Sequence, residues 1–335
     1  MTAVSTELDY TFHAMGSDIR LLIGPRLVPT APDPLVAADR EKAYVLSFGQ
    51  RLSRFRHDSE LSALNHDPRT AVPASPLLRT AVRAGLWAAE RSGGLLDPTL
   101  VGALERNGYS ASLDGATPAS LSEALVHAPA RRPAQPDPNS RWREIEIDDQ
   151  AGLIVRPVGV MLDTGGTGKG LCADAVAHRL GGYTRFVVDC GGDIAVGGVG
   201  AQLEPYEIEI EHPLTRRPVG TVRVARGGVA TSGLNVRIWR DPDGRYAHHL
   251  LDPHTGAPAW TGLVGVTALG STALEAETFS KMALLGGPER ARDVLAESGG
   301  VIVHDSAAIE PIGPINGVIF DETDATDTSG ERRTR

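Results

Sequence analysis

Between Tyr10 and Ile23 apolar and polar residues alternate, with a break at Met15-Gly16-Ser17. Period-two alternation around a turn predicts a β-hairpin. The period then changes. Leu35, Val36, Tyr44, Val45, Phe48 and Leu52 recur at near-helical spacing, which predicts a helix over 33–52. A second helix is expected over Ser75–Ser92, where Leu78, Val82, Leu86 and Ala89 share one face and Gly93-Gly94 supplies the stop. Residues 128–140 hold four prolines among polar residues, which excludes regular structure and marks a linker between lobes at 9–127 and 141–320.

Beyond that linker the pattern is of short strands: Glu144–Ile147, Leu153–Arg156, Phe186–Asp189, Ile194–Val196, Tyr206–Glu211 and Val219–Val224. One helix, Gly170–Leu180, interrupts them. Helices are expected again at Thr272–Leu285 and Pro288–Ser298, and final strands at Gly300–His304 and Val318–Phe320. Residues 1–8 read as a flexible tail, and 321–335, without large apolar residues, as a disordered one. The strands cluster and the helices do not alternate strictly with them, so the expected class is α+β.

Composition narrows the field of functions. At 335 residues, 41% hydrophobic and 22% charged, the chain can bury a sizeable core. A net charge of −9 argues against nucleic acid as the main partner. No run is long and apolar enough for a transmembrane helix, and the N-terminus has no signal-peptide pattern, so a cytoplasmic location is expected. Cys172 and Cys190 are too few for a disulfide framework. Of the basic residues only Lys42, Lys169 and Lys281 are lysine, and every other one is arginine. Each lysine therefore calls for a reason.

Candidate chemistry gathers in glycine-rich segments. Leu162–Asp174, LDTGGTGKGLCAD, combines an acid, four glycines, a lysine and a helix start. Backbone amides at a helix N-terminus, with a lysine beside them, suit an anion such as phosphate. Two nucleotide-loop patterns fail here. A P-loop needs glycine where Asp163 stands and a hydroxyl where Gly170 stands, and the dinucleotide pattern beginning at Gly166 meets Leu171 at its last glycine. A tight strand-to-helix turn is the alternative, but a turn needs no lysine. In VDCGGDIAVGGVG (188–200), Asp189 and Asp193 suit either a ligand or a hairpin turn.

Downstream, His248, His249 and His254 surround Asp252-Pro253. Their spacing is not a zinc signature, so one histidine as a general base is the better reading. Ala230-Thr231-Ser232-Gly233 reads as a small turn whose hydroxyls could bond a phosphate or ring. Glu277 and Lys281 stand four apart with Glu first, the order that stabilises a helix, and read as a solvated ion pair. Their small neighbours Ala276, Ser280 and Ala283 would also admit close packing or a ligand.

In order along the chain, HAMGSD (13–18), LSRFRHDSELSALN (52–65), LLDPTL (95–100), LDTGGTGKGLCAD, VDCGGDIAVGG (188–198), ATSG (230–233), HHLLDPHTG (248–256) and STALEAETFSKMALLG (271–286) resemble the ApbE family, the FAD:protein FMN transferases. The resemblance implies a two-lobed α+β fold with mixed or antiparallel sheets flanked by helices. It also implies cleavage of FAD, transfer of FMN to a Ser or Thr hydroxyl of a client flavoprotein, and release of AMP, assisted by Mg²⁺. On this likeness Met15, Phe55 (where the family has tyrosine), Leu95, Leu96, Asp97, Asp163, Lys169, Thr231, Ser232, His248 and His249 contact FAD. His249 and Lys169 are the catalytic candidates, His249 activating the client hydroxyl. Gly166 falls where a carbonyl ligates the metal. Glu277 and Lys281 fall where the family has Asp and Thr ligands, so Lys281 either takes the metal's place or leaves a weakened site. A hydrolase giving FMN and AMP, or a flavin-binding protein without transfer, are the other functions these residues allow.

Overall fold

The computed structural model describes residues 7–315. Its centre is one sheet of eight strands: β1 (Leu8–Ala14), β2 (Ser17–Ile23), β3 (Phe186–Cys190), β4 (Asp193–Gly197), β5 (Gly227–Gly233), β6 (Leu263–Gly270), β7 (Gly300–His304) and β8 (Ile309–Ile312). The strands lie side by side in chain order, and every neighbouring pair is antiparallel. The first pair is the expected hairpin, its registers closing from Leu8↔Ile23 to Ala14↔Ser17. Because β1 starts at Leu8, that residue belongs to the sheet and not to the tail expected over 1–8. The rest of that tail up to Thr6, the strand expected at Val318–Phe320 and the tail 321–335 lie outside the described residues.

Four longer helices were legible: α1 (Pro34–Leu52), α2 (Pro76–Ser92), α3 (Gly168–Arg179) and α4 (Ala273–Ser298). Asp33 and Ser75 cap the first two by accepting from the amides of Leu35 and Leu78, and Gly93 ends α2 at φ 67. The two helices expected at the C-terminal end appear as α4, broken at Gly287 (φ 75, ψ 179) just before Pro288. Proline cannot continue the ladder and glycine supplies the left-handed turn.

Helices α3 and α4 cover one face of the sheet. The opposite face is covered by a hairpin of Tyr206–Glu211 and Pro218–Val224, through Val187, Ile194, Val196, Val222 and Val229. Two central strands were not expected. Gly227–Gly233 includes ATSG, which reads as a turn, yet Ala230 pairs with Asp193 on one side and Ala268 on the other. Small residues suit this strand because α4 lies against it: a Cβ on Gly228 would come within 2.3 Å of the Thr272 carbonyl oxygen. Residues 128–140 form no strand or longer helix. They lie against the C-terminal half, where Ala134 N donates to Leu285 O at 2.9 Å and Arg132 N to Trp260 O at 3.0 Å.

Candidate functional site

Two helix N-termini face each other and cap one another. Asp174, in the second turn of α3, accepts from Ala273 N (2.8 Å) and Leu274 N (2.9 Å) at the start of α4. In return Glu277 of α4 accepts from Gly170 N at 2.9 Å, in the first turn of α3. Each carboxylate meets orphan amides at the positive end of a helix dipole, the favourable place for it. The approach is so close that a Cβ on residue 170 would lie 2.7 Å from the Ala273 carbonyl oxygen. That explains why a glycine stands where a P-loop would have Ser or Thr.

Around this junction lies a cluster of buried charge. Lys281 Nζ donates to Glu277 Oε1 at 2.7 Å, with side chains 11% and 0% exposed. The pair expected to be solvated is therefore internal, because α4 turns this face toward the sheet and α3. Lys169 Nζ stands 3.1 Å from Asp193 Oδ2 of β4 and donates to the Gly191 carbonyl at 3.2 Å. The tip of the first hairpin closes the group, since a Cβ on Gly191 would meet Ser17 Cβ at 2.5 Å and Lys169 Nζ at 3.7 Å. At Gly166 and Gly192 an added Cβ would meet nothing within 4 Å, so the glycine loop and the β3–β4 turn border open space.

An aromatic rim stands beside it. Phe55, Tyr109 and Trp239 follow one another at ring separations of 5.2 and 5.0 Å. The Arg54 guanidinium lies over Phe55 (4.1 Å) and Tyr109 (4.6 Å) and bonds Asp163 at 3.2 Å. Arg237 donates to Tyr109 Oη at 2.7 Å, and its Nη2 would lie 3.2 Å from a Cβ on Gly16. His249 Nδ1 is 3.4 Å from the Arg237 carbonyl oxygen. Met15 holds a left-handed backbone at φ 53, uncommon for a non-glycine residue, with its side chain against Gly49 of α1.

Burial sets the protonation of these groups. Burial works against the Lys169 ammonium, but Asp193 and Glu277 outweigh it and hold its pKa above that of an ordinary lysine. Burial, then Asp193, pushes Glu277 up to about 7 against the pull of Lys281 and Lys169. Burial pushes His249 well below its ordinary value, and Arg237, His248 and Lys281 add to the effect. His249 is thus neutral. If Nδ1 carries the proton toward the Arg237 carbonyl, Nε2 is left as an acceptor.

Not every expected residue reaches this place. His248 is 0% exposed, set edge-on to Trp260 at 4.7 Å, with neither ring nitrogen bonded. Strand geometry seals it in the core while its neighbour His249 stays partly open. Leu95 and Leu96 are buried core residues. Asp97 is occupied locally, accepting from Thr99 N (2.8 Å), Thr99 Oγ1 (2.6 Å) and Ser140 Oγ. Thr231 and Ser232, as neighbours in a strand, divide between faces: Thr231 bonds Thr267 at 2.9 Å, and Ser232 bonds Ser280 of α4 at 2.7 Å. A cavity of about 1010 Å³ lined by Arg91, Phe279, Met282 and Pro288 contains none of the expected residues. Arg237, Tyr109 and Trp239 were not foreseen. Nothing local distinguishes one arginine among so many, and only the fold brings it to the hairpin tip.

The Glu277–Lys281 pair does not suit a divalent cation. Both Glu277 oxygens are engaged, an ammonium stands beside them, and no group of three or more His, Cys, Asp or Glu among the described residues could hold a metal ion.

Sheet, paired helices and charged crevice together define an α+β protein with a polar, aromatic-rimmed site at a helix N-terminus. The ApbE family profile matches residues 15–303, and the chain belongs to that family. It is 29% identical over 259 residues to a FAD:protein FMN transferase of Salmonella typhimurium, covering 74% of this chain and 70% of that one. Against the Treponema pallidum protein of the same name it is 28% identical over 302 residues, 82% and 79% of the two chains. The fold matches an ApbE protein of Thermotoga maritima with a TM-score of 0.73 at 23% identity, over 92% of this chain and 97% of that one.

Proposed function

We propose that this chain is a FAD:protein FMN transferase. The observation that carries the reading is the convergence of Lys169, the α3 N-terminus, Arg237 and His249 on one crevice in a chain of this family. In this reading the Lys169 ammonium and the backbone amides of Gly166 and Lys169 hold the FAD pyrophosphate, since helix N-terminal amides and a point charge both favour an anion. Phe55 and Tyr109 offer flat faces to a ring. A client Ser or Thr hydroxyl oxygen attacks the phosphorus on the FMN side, the bond to the AMP phosphate breaks, and AMP leaves with that bridging oxygen. The hydroxyl proton passes to Nε2 of neutral His249. Such transfer depends on positioning and charge neutralisation, with no covalent intermediate on the protein. Asp163 does not act as a base here. It anchors the rim, accepting from Arg54 and from Gly165 N at 2.8 Å.

The test is incubation with FAD, with and without a candidate client flavoprotein, following AMP and FMN fluorescence on the denatured client. AMP and labelled client appearing together are expected. His249→Asn should abolish labelling while FAD binding persists. AMP released without a client would replace this reading with a hydrolase, and FAD left intact in both arms would replace it with a flavin carrier.

A further inference from the structure

We infer that the ammonium of Lys281 takes the part of a divalent cation in this protein, so that Lys281 and Lys169 donate to the pyrophosphate oxygens, Arg237 supplies uncancelled positive charge, and no metal is required. The inference rests on the proposed reaction for its ligand, but its core concerns this chain's own charges.

Four observations support it. First, Glu277, the carboxylate best placed to draw a cation, is fully buried and already has its positive partner 2.7 Å away. A dication entering there would have to displace Gly170 N and repel Lys281 at short range in a medium of low dielectric. Removing either member of such a buried pair leaves an uncompensated charge, so the pair resists being opened. Second, Asp193, the buried carboxylate whose charge acts on Glu277, is likewise matched by a lysine at 3.1 Å. The two acids that would supply a metal's counter-charge are thus neutralised by two ammonium groups.

Third, both positions are lysine in a chain that uses arginine almost everywhere else. An ammonium is a compact point charge with three donors, closer to a bound cation than a planar guanidinium fork is. Within the described residues Lys281 Nζ spends one of those donors, on Glu277, which leaves two for ligand oxygens. Fourth, the Arg237 guanidinium bonds Tyr109 Oη and has no carboxylate partner among the described residues, so it adds positive charge that the cluster does not cancel.

The experiment uses the full chain, stripped of metal. Mn²⁺ is titrated into protein alone and followed by electron paramagnetic resonance, and FAD is titrated with excess EDTA or with Mg²⁺. Wild type should bind no Mn²⁺ up to about 1 mM, the range of weak oxygen-ligand sites. Its FAD affinity should agree within about twofold between EDTA and Mg²⁺, a difference below 0.5 kcal/mol. Lys281→Met should weaken FAD binding about tenfold in EDTA. The double variant Glu277→Asp with Lys281→Thr offers oxygen ligands in place of the ammonium. It should gain Mn²⁺ binding and make FAD binding depend on Mg²⁺, a gain that misfolding cannot produce. Submillimolar Mn²⁺ binding by wild type, or a tenfold loss of its FAD affinity in EDTA, would overturn the inference. FAD failing to bind in both conditions would instead overturn the functional reading and with it the pyrophosphate role. The Mn²⁺ titration of protein alone would still decide whether the lysine has displaced the cation.

Discussion

Gly168 and Gly170 sit two residues apart in the first turn of α3, and the same change at each should have opposite effects. At Gly170 a new Cβ would stand 2.7 Å from Ala273 O, 2.8 Å from Ala273 C and 2.8 Å from Glu277 Oε2. The first two are backbone atoms of the capped start of α4 and cannot swing aside. Gly170→Ala must therefore push α3 and α4 apart. Overpacking of this kind costs about 1–3 kcal/mol, and losing the charged bond from Gly170 N to Glu277 adds about 1.5–3 kcal/mol. Replacing a helical glycine by alanine returns roughly 1 kcal/mol. The net expectation is a loss of about 1.5–5 kcal/mol, a fall of roughly 2–7 °C in Tm for a chain of this size. At Gly168 the nearest atom, Thr164 Oγ1, is 3.9 Å away. Gly168→Ala should be neutral or stabilising by up to about 1 kcal/mol. Thermal and urea unfolding of both variants, with FAD titration alongside, checks the pair. Gly170→Ala melting at or above the wild-type temperature would refute the reciprocal-cap account of this junction.

Two further outcomes follow from the same geometry. His248 is neutral in the fold because burial pushes its pKa down from 6.5 to about 3, while the unfolded chain protonates it near the ordinary value. The unfolded state binds more protons between those values, so stability should fall as pH drops below about 6.5. His248→Phe, which keeps a ring against Trp260, should shrink the difference in Tm between about pH 4.5 and pH 7. An unchanged acid sensitivity would count against the buried neutral ring. Arg237→Gln should weaken FAD binding about tenfold, a loss near 1.4 kcal/mol, and leave riboflavin binding unchanged, because riboflavin carries no phosphate. An equal loss for both ligands in parallel fluorescence titrations would show that Arg237 serves the ring and not the phosphates.

Much of the frame could be read from local pattern because its causes are local. The hairpin at 8–23, the helices α1 to α3 and the break at Gly287–Pro288 all follow from periodicity, caps and backbone freedom over a few residues. Strands β5 and β6 escaped for a physical reason. Leu263–Gly270 is buried on both faces over its first six residues, so it shows no alternation, and ATSG is built of residues that favour turns until neighbours on both sides supply its hydrogen bonds. Lys42, the third lysine, lies 5.8 Å from the rings of Tyr10 and Phe12, a contact no spacing predicts across the chain.

The sequence by itself determined the family, the α+β class and the residues worth asking about, because eight short motifs in fixed order carry that information without any knowledge of their neighbours in space. It also marked Lys169 and Lys281 as lysines in need of a reason. Only the tertiary structure decided what that reason is. Gly170 and Glu277 are 107 positions apart, and Lys169 and Asp193 are far outside one another's local turn. Whether Lys281 faces water or a buried carboxylate depends on which side of α4 the sheet covers. A charge pattern on one helix cannot state its own burial, and burial is what turns an ordinary i,i+4 pair into an internal ion pair standing where a cation would go.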